Sequence, residues 1–169
     1  MITALWYRVL LRRVTRAIHA ELGIPAGPLR GTYTELTAAA LLADVRFDSA
    51  ALTQAGLGVI GRVIPRCMVR AMRSVIHSDR ISGKIAVLLV PSVIAWLVGP
   101  VRRRMHRTQA IIKRCRLLDR TSATVCYRFC KAPSEAFLAE RLNVPIRMEP
   151  DIATGRCTLT FGPRATRSG

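Results

Sequence analysis

The chain has 169 residues, half of them hydrophobic, and a net charge of +17 drawn almost wholly from arginine. That length fits one domain, or one domain with a small appendage, and an aromatic share of only 5% argues against a stacking platform for bases or sugars. Five cysteines at irregular spacing do not read as a secreted disulfide framework and point to a reducing compartment. So basic a balance predicts an anionic neighbour: phosphate, lipid headgroups or an acidic protein.

In chain order, Ala4 to Leu22 predicts an amphipathic helix, with Leu5, Val9, Val14 and Ile18 in a broad apolar stripe and Arg8, Arg12, Arg13 and Arg16 on other faces. An acid-free, arginine-rich start also has the look of an import sequence, but the first helix of a basic domain is the preferred reading. Gly23, Pro25, Gly27 and Pro28 make a loop. A second helix runs from Thr34, its expected cap, to about Ala43, with Glu35 in its first turn. A short third piece starts at Asp48 or Ser49. Beyond Gly56, Gly58 and Gly61 the stretch Ile60 to Ile76 reads as one helix, with Pro65 tolerated near its first turn. That helix puts Arg62, Arg66, Arg70 and Arg73 on one face, an expected anion-binding stripe.

Ile85 to Val98 is the most apolar run, too short for a span of roughly 20 residues. It reads as a buried helix kinked at Pro91, or as an interfacial segment whose Val90, Ile94, Trp96 and Leu97 touch membrane or substrate while Arg102, Arg103 and Arg104 hold anions. Gln109 to Leu118 fits a strand or a helix. Cys126 and Cys130, four apart, would share a helical face, and Ser134 would cap a helix through Leu142. Pro145–Glu149 and Cys157–Phe161 are short strand-like runs joined by a turn from Pro150 to Gly155. The expected fold class is α+β and mostly helical: a helical region over 1–100 and a basic, Cys-rich portion with an α/β-hairpin over 101–169.

Phosphate loops, zinc-protease helices and nucleophile elbows are absent from the sequence, and His19, His77 and His106 are dispersed. Chemistry therefore concentrates in Cys115, Cys126, Cys130 and Cys157, spaced C-x10-C-x3-C-x26-C among arginines that favour thiolate. Zinc ribbons use two-residue gaps, so the spacing is a weak signal for a zinc finger, while four thiolates meeting in space would suit iron, an iron–sulfur cluster or zinc. Cys67 stands apart.

The order WLVGP (from Trp96), KRCRLLD (from Lys113), CYRFCKAP (from Cys126), VPIRMEPD (from Val144), then Cys157 and FGP (from Phe161) resembles the plastid β-carotene isomerase family. The resemblance is strongest from Ala95 to Pro163 and extends weakly to Tyr33-Thr-Glu-Leu36. It implies an iron-dependent cis–trans isomerisation of an apolar polyene, all-trans- to 9-cis-β-carotene, with the four cysteines as metal ligands. Where family members carry one more cysteine, this chain reads Thr121-Ser-Ala-Thr124.

Two other functions compete with this one. The arginine excess suits a non-catalytic subunit of an organellar assembly, a ribosome or membrane complex, with RNA or protein partners. It also suits a peripheral protein on an anionic membrane surface. Either reading keeps the chain in an organelle, plastid or mitochondrion.

Overall fold

A computed structural model describes residues 2–25, 27–64, 66–75 and 79–162. The fold is α+β and mostly helical, as expected, with a four-stranded antiparallel sheet near its C-terminal end. The chain divides into two compact units, Met1–Pro65 with Arg120–Ser134, and Arg66–Asp119 with Glu135–Gly169.

The first unit is built on α1 (Ile2–Glu21), α2 (Tyr33–Arg46) and α3 (Ser49–Val63), with α1 packed against both of the others. Leu11, Ile18, Leu36 and Leu52 are almost wholly buried, and each such side chain contributes roughly 1.5–3 kcal/mol. The expected stripe along α1 divides. Val14 and Ile18 are buried, but Leu5 is 68% and Val9 40% exposed. At about 100° per residue, Leu5 and Ile18 lie some 140° apart, so one core cannot hold both.

Gly23, in the left-handed region at φ +61°, ends α1 as predicted. The cap of α2 is Thr32, not Thr34. Its hydroxyl accepts from the Glu35 N–H (3.2 Å), while the Glu35 carboxylate accepts from the N–H groups of Arg30, Gly31 and Thr32 at 2.8 to 3.0 Å, a capping box with two extra donors. Asp48 caps α3 through the Ala51 N–H (2.7 Å), and the helix runs on through Gly56, Gly58 and Gly61.

The expected helix from Ile60 to Ile76 is two helices. Ile64 is extended (φ −89°, ψ 117°) and separates α3 from α4 (Arg66–Val75). A proline follows Ile64, and its ring disfavours helical backbone in the residue before it. Pro65, Ile76 and His77 lie outside the described residues.

In the second unit α5 (Asp79–Val98) packs on β1 (Val101–Arg104), β2 (Gln109–Ile112) and β4 (Arg156–Phe161). Strand order is β1-β2-β4-β3, with β3 at Ile146–Asp151. The expected hairpin is present: Ile146 pairs with Phe161 and Asp151 with Arg156, around a turn in which Gly155 takes φ +66°. Strand β1 was unforeseen, because Arg102 to Arg104 reads as a polar close to an apolar helix. It forms by pairing with β2, Val101 opposite Ile112. Helix α5 continues through Pro91, whose missing N–H leaves the Val87 carbonyl without its usual donor.

Ala123 to Leu142 is nearly continuous helix. It comprises the short α6 (Ala123–Val125), a π-helical turn over Cys126–Lys131, and α7 (Ala132–Leu142). Ser134 lies inside it. The cap is Ser122, whose hydroxyl accepts from the Val125 N–H (3.2 Å).

Candidate functional site

The CYRFCKAP segment forms the π turn and the start of α7. Pro133 has no N–H for the Phe129 carbonyl four residues back, and just before it the Ala132 N–H bonds Tyr127 O, five residues back, as a π turn does. In the first unit this turn packs on α3 at Gly56, where a Cβ would stand 2.4 Å from Pro133 Cγ and 3.7 Å from Phe129 O. Only a glycine admits so close an approach.

Arg128, at the centre of the motif, fastens the end of α2. Its Nη1 lies 2.9 Å from Asp44 Oδ1 and 3.3 Å from Asp44 O, and its Nη2 donates to Phe47 O at 2.7 Å. A cation at a helix C-terminus meets carbonyls left without donors. Its buried Nε has no acceptor among the described residues. Two residues to either side in sequence, Cys126 is buried and Cys130 is half-buried. Arg120 caps the same unit from outside, its guanidinium 5.2 Å from the ring centre of Tyr33.

In the second unit the KRCRLLD segment turns onto the β3–β4 hairpin. The Cys115 N–H donates to Gly155 O (2.7 Å) and the Cys115 carbonyl accepts from the Asp119 N–H (3.0 Å). Arg114 Nε holds Asp119 Oδ2 at 2.8 Å. Cys157 lies in β4, paired across the backbone with Ile112 and Pro150. Both thiols are buried. From VPIRMEPD, Met148 donates its N–H to Glu135 Oε1 (2.6 Å), which ties β3 to α7. Gly162 N–H donates to Pro145 O (2.8 Å), which closes the strand pair just past Phe161.

A zinc or iron–sulfur centre draws on three or four protein donors. Among the described residues no three Cys, His, Asp or Glu side chains stand close enough to hold a metal. Cys126 and Cys130 belong to the first unit, Cys115 and Cys157 to the second. Cys67 is exposed on α4.

The expected arginine stripe is not one face. Arg62 lies on α3 and pairs with Glu21 from α1, whereas Arg66, Arg70 and Arg73 are exposed on the separate α4. Arg102 and Arg103 are exposed on β1, and Arg103 donates to Ser92 Oγ (2.6 Å). Of the four expected apolar contact residues, Ile94, Trp96 and Leu97 are half-buried, but Val90 is only 7% exposed and belongs to the core. Helix α5 instead turns Leu88 (52% exposed) and Leu89 outward, because a one- or two-residue step moves a side chain well around the helix. No helix among the described residues is long and apolar enough to cross a membrane.

Residues 96–168 match the family described as Beta-carotene isomerase D27-like, C-terminal. The chain is 24% identical over 163 residues to the chloroplastic Beta-carotene isomerase D27 of Arabidopsis thaliana, covering 92% of this chain and 62% of that protein. It is 23% identical over 166 residues to the protein of the same name from Medicago truncatula, covering 93% and 65%. The chain thus spans less than two thirds of the length of these curated relatives. No solved structure gives a significant match.

Proposed function

We propose that the chain, whose residues 96–168 match the C-terminal model of the β-carotene isomerase family, is a plastid cis–trans isomerase acting on an apolar polyene of the β-carotene type. The observation that supports this most is the reach of the similarity. It extends over 92–93% of the chain, through both units and not the C-terminal motifs alone. A carotene has no hydrogen-bonding group, so its recognition rests on apolar contact. The half-buried Ile94, Trp96 and Leu97 at the end of α5 are the proposed contact residues, and an anionic membrane surface is the proposed source of substrate.

Iron comes with the family resemblance, but of its expected donors Cys126 and Cys130 belong to one unit and Cys115 and Cys157 to the other. The described residues do not form a ready three-donor site, and no catalytic step is assigned to a metal. The motif residues have a more direct role: Arg128, Pro133, Glu135 and Gly155 hold helices and strands in register.

The test is incubation of the purified chain with all-trans-β-carotene in detergent micelles, with isomers separated by chromatography and iron measured on the same sample. Formation of a 9-cis isomer above the thermal background is the expected result. No isomer from iron-replete protein would overturn the enzymatic reading and favour the basic assembly subunit, for which the exposed arginines of α4 and β1 speak.

A further inference from the structure

Helix α1 has two unlike halves on its solvent side. In its first turns the outward residues are apolar, with Leu5 68%, Trp6 62% and Val9 40% exposed. In the following turns they are Arg12, Arg13 and Arg16, with Arg8 alongside. The opposite side, Leu11, Val14, Thr15, Ala17 and Ile18, is buried in the first unit, so the outward face is presented by a helix anchored in the fold.

Among the described residues of the first unit no acid pairs with these arginines. The first unit contains four acids in all, Glu21, Glu35, Asp44 and Asp48, and each is committed elsewhere. Glu21 pairs with Arg62, Glu35 with three backbone N–H groups, Asp44 with Arg128, and Asp48 caps α3. A folded protein rarely leaves a tryptophan and a leucine side by side in water beside four arginines without use for them.

We propose that the outward face of α1 is a docking surface for an anionic lipid bilayer, with Leu5, Trp6 and Val9 entering the acyl boundary and Arg8, Arg12, Arg13 and Arg16 holding headgroup phosphates. From Leu5 to Arg12 the helix rises about 10 Å, so the apolar turns and the arginine turns follow one another along the same outward side. Long arginine side chains reach back to the headgroup layer. A nucleic acid would satisfy the charge but would leave Leu5 and Trp6 in water. The surface is independent of the isomerase reading, since it stands on the exposure and charge of α1.

Co-sedimentation of the full chain with vesicles of phosphatidylcholine mixed with phosphatidylglycerol, against phosphatidylcholine alone, tests it. Binding to the anionic vesicles only is expected. Arg13→Gln with Arg16→Gln should weaken it about 25-fold, roughly fivefold per arginine at about 1 kcal/mol each. Leu5→Ser with Trp6→Ser should weaken it at least about tenfold, with the circular dichroism spectrum unchanged. Lipids brominated in the acyl chain should quench tryptophan fluorescence in the wild type and less in Trp6→Phe. Equal sedimentation of either double variant and wild type, or quenching unchanged by Trp6→Phe, would overturn the proposal. So would wild-type protein that leaves anionic vesicles in the supernatant yet binds polyuridylate. The isomerase assay is run in micelles, so failure of one does not entail failure of the other.

Discussion

Replacing Gly56 by alanine puts a Cβ 2.4 Å from Cγ and 2.6 Å from Cβ of Pro133. A proline ring is closed onto its own backbone and has no rotamer to turn into, so α3 and the π turn must separate. Overpacking of this kind costs about 1–3 kcal/mol, and a contact this short belongs at the upper end. Alanine recovers about 1 kcal/mol of helix propensity over glycine, which leaves a net destabilisation of about 2 kcal/mol. Gly61, five residues along the same helix, has nothing within 4 Å of its virtual Cβ, so Gly61→Ala should stabilise by up to about 1 kcal/mol. Gly58 lies between them in outcome as well as position. Its Cβ would meet the Glu21 carboxylate at 2.4 Å, the far end of a flexible side chain that can move at the expense of a surface ion pair worth about 0–1 kcal/mol. Urea denaturation followed by far-ultraviolet circular dichroism reads all three, with the slope unchanged if only stability has shifted. A Gly56→Ala variant as stable as Gly61→Ala would refute the packing of Pro133 against α3.

Removal of Arg128 strips the α2 terminus of its donors and leaves Asp44, whose side chain is only 15% exposed, without its cation. Arg128→Ala should cost about 2–3 kcal/mol, and Arg128→Lys should restore less than half, since an ammonium lacks the fork that spans Asp44 and Phe47. A double-mutant cycle with Asp44→Asn measures the pair; additive losses would show that the contact carries no energy. The three N–H donors around Glu35, led by Thr32 and Arg30, hold its carboxyl below the ordinary 4.5. A depressed carboxyl stabilises the fold fully above 4.5 and loses that contribution as pH falls through its folded value. Glu35→Gln should flatten this acid limb of the stability–pH curve while leaving neutral stability lower, and an unchanged limb would count against the capping box.

Helix and strand periodicity made most of the fold legible. The apolar spacing from Ala4, the turn from Pro150 to Gly155 and the stop at Gly23 are all local signals, and local backbone preferences act before any tertiary contact exists. Caps were less legible because two hydroxyls compete within a few residues. Thr32 displaced Thr34 when Glu35 could reach back three positions, and Ser122 displaced Ser134 when the helix continued through Pro133 by widening to a π turn. The break at Ile64 was written in the sequence, in the proline that follows it.

Composition and order along the chain carried the helical α+β class, the basic balance and the resemblance borne by the cysteine and arginine motifs. Three-dimensional packing settled what those motifs do. Which side of α1 faces water depends on where α2 and α3 lie, not on the hydrophobicity of Leu5 or Trp6. Arg128 meets Asp44 across 84 residues, and the four C-terminal cysteines sort between two units. Such pairings follow from burial and from the demand that backbone and charged groups find partners, conditions that exist only once distant segments have come together.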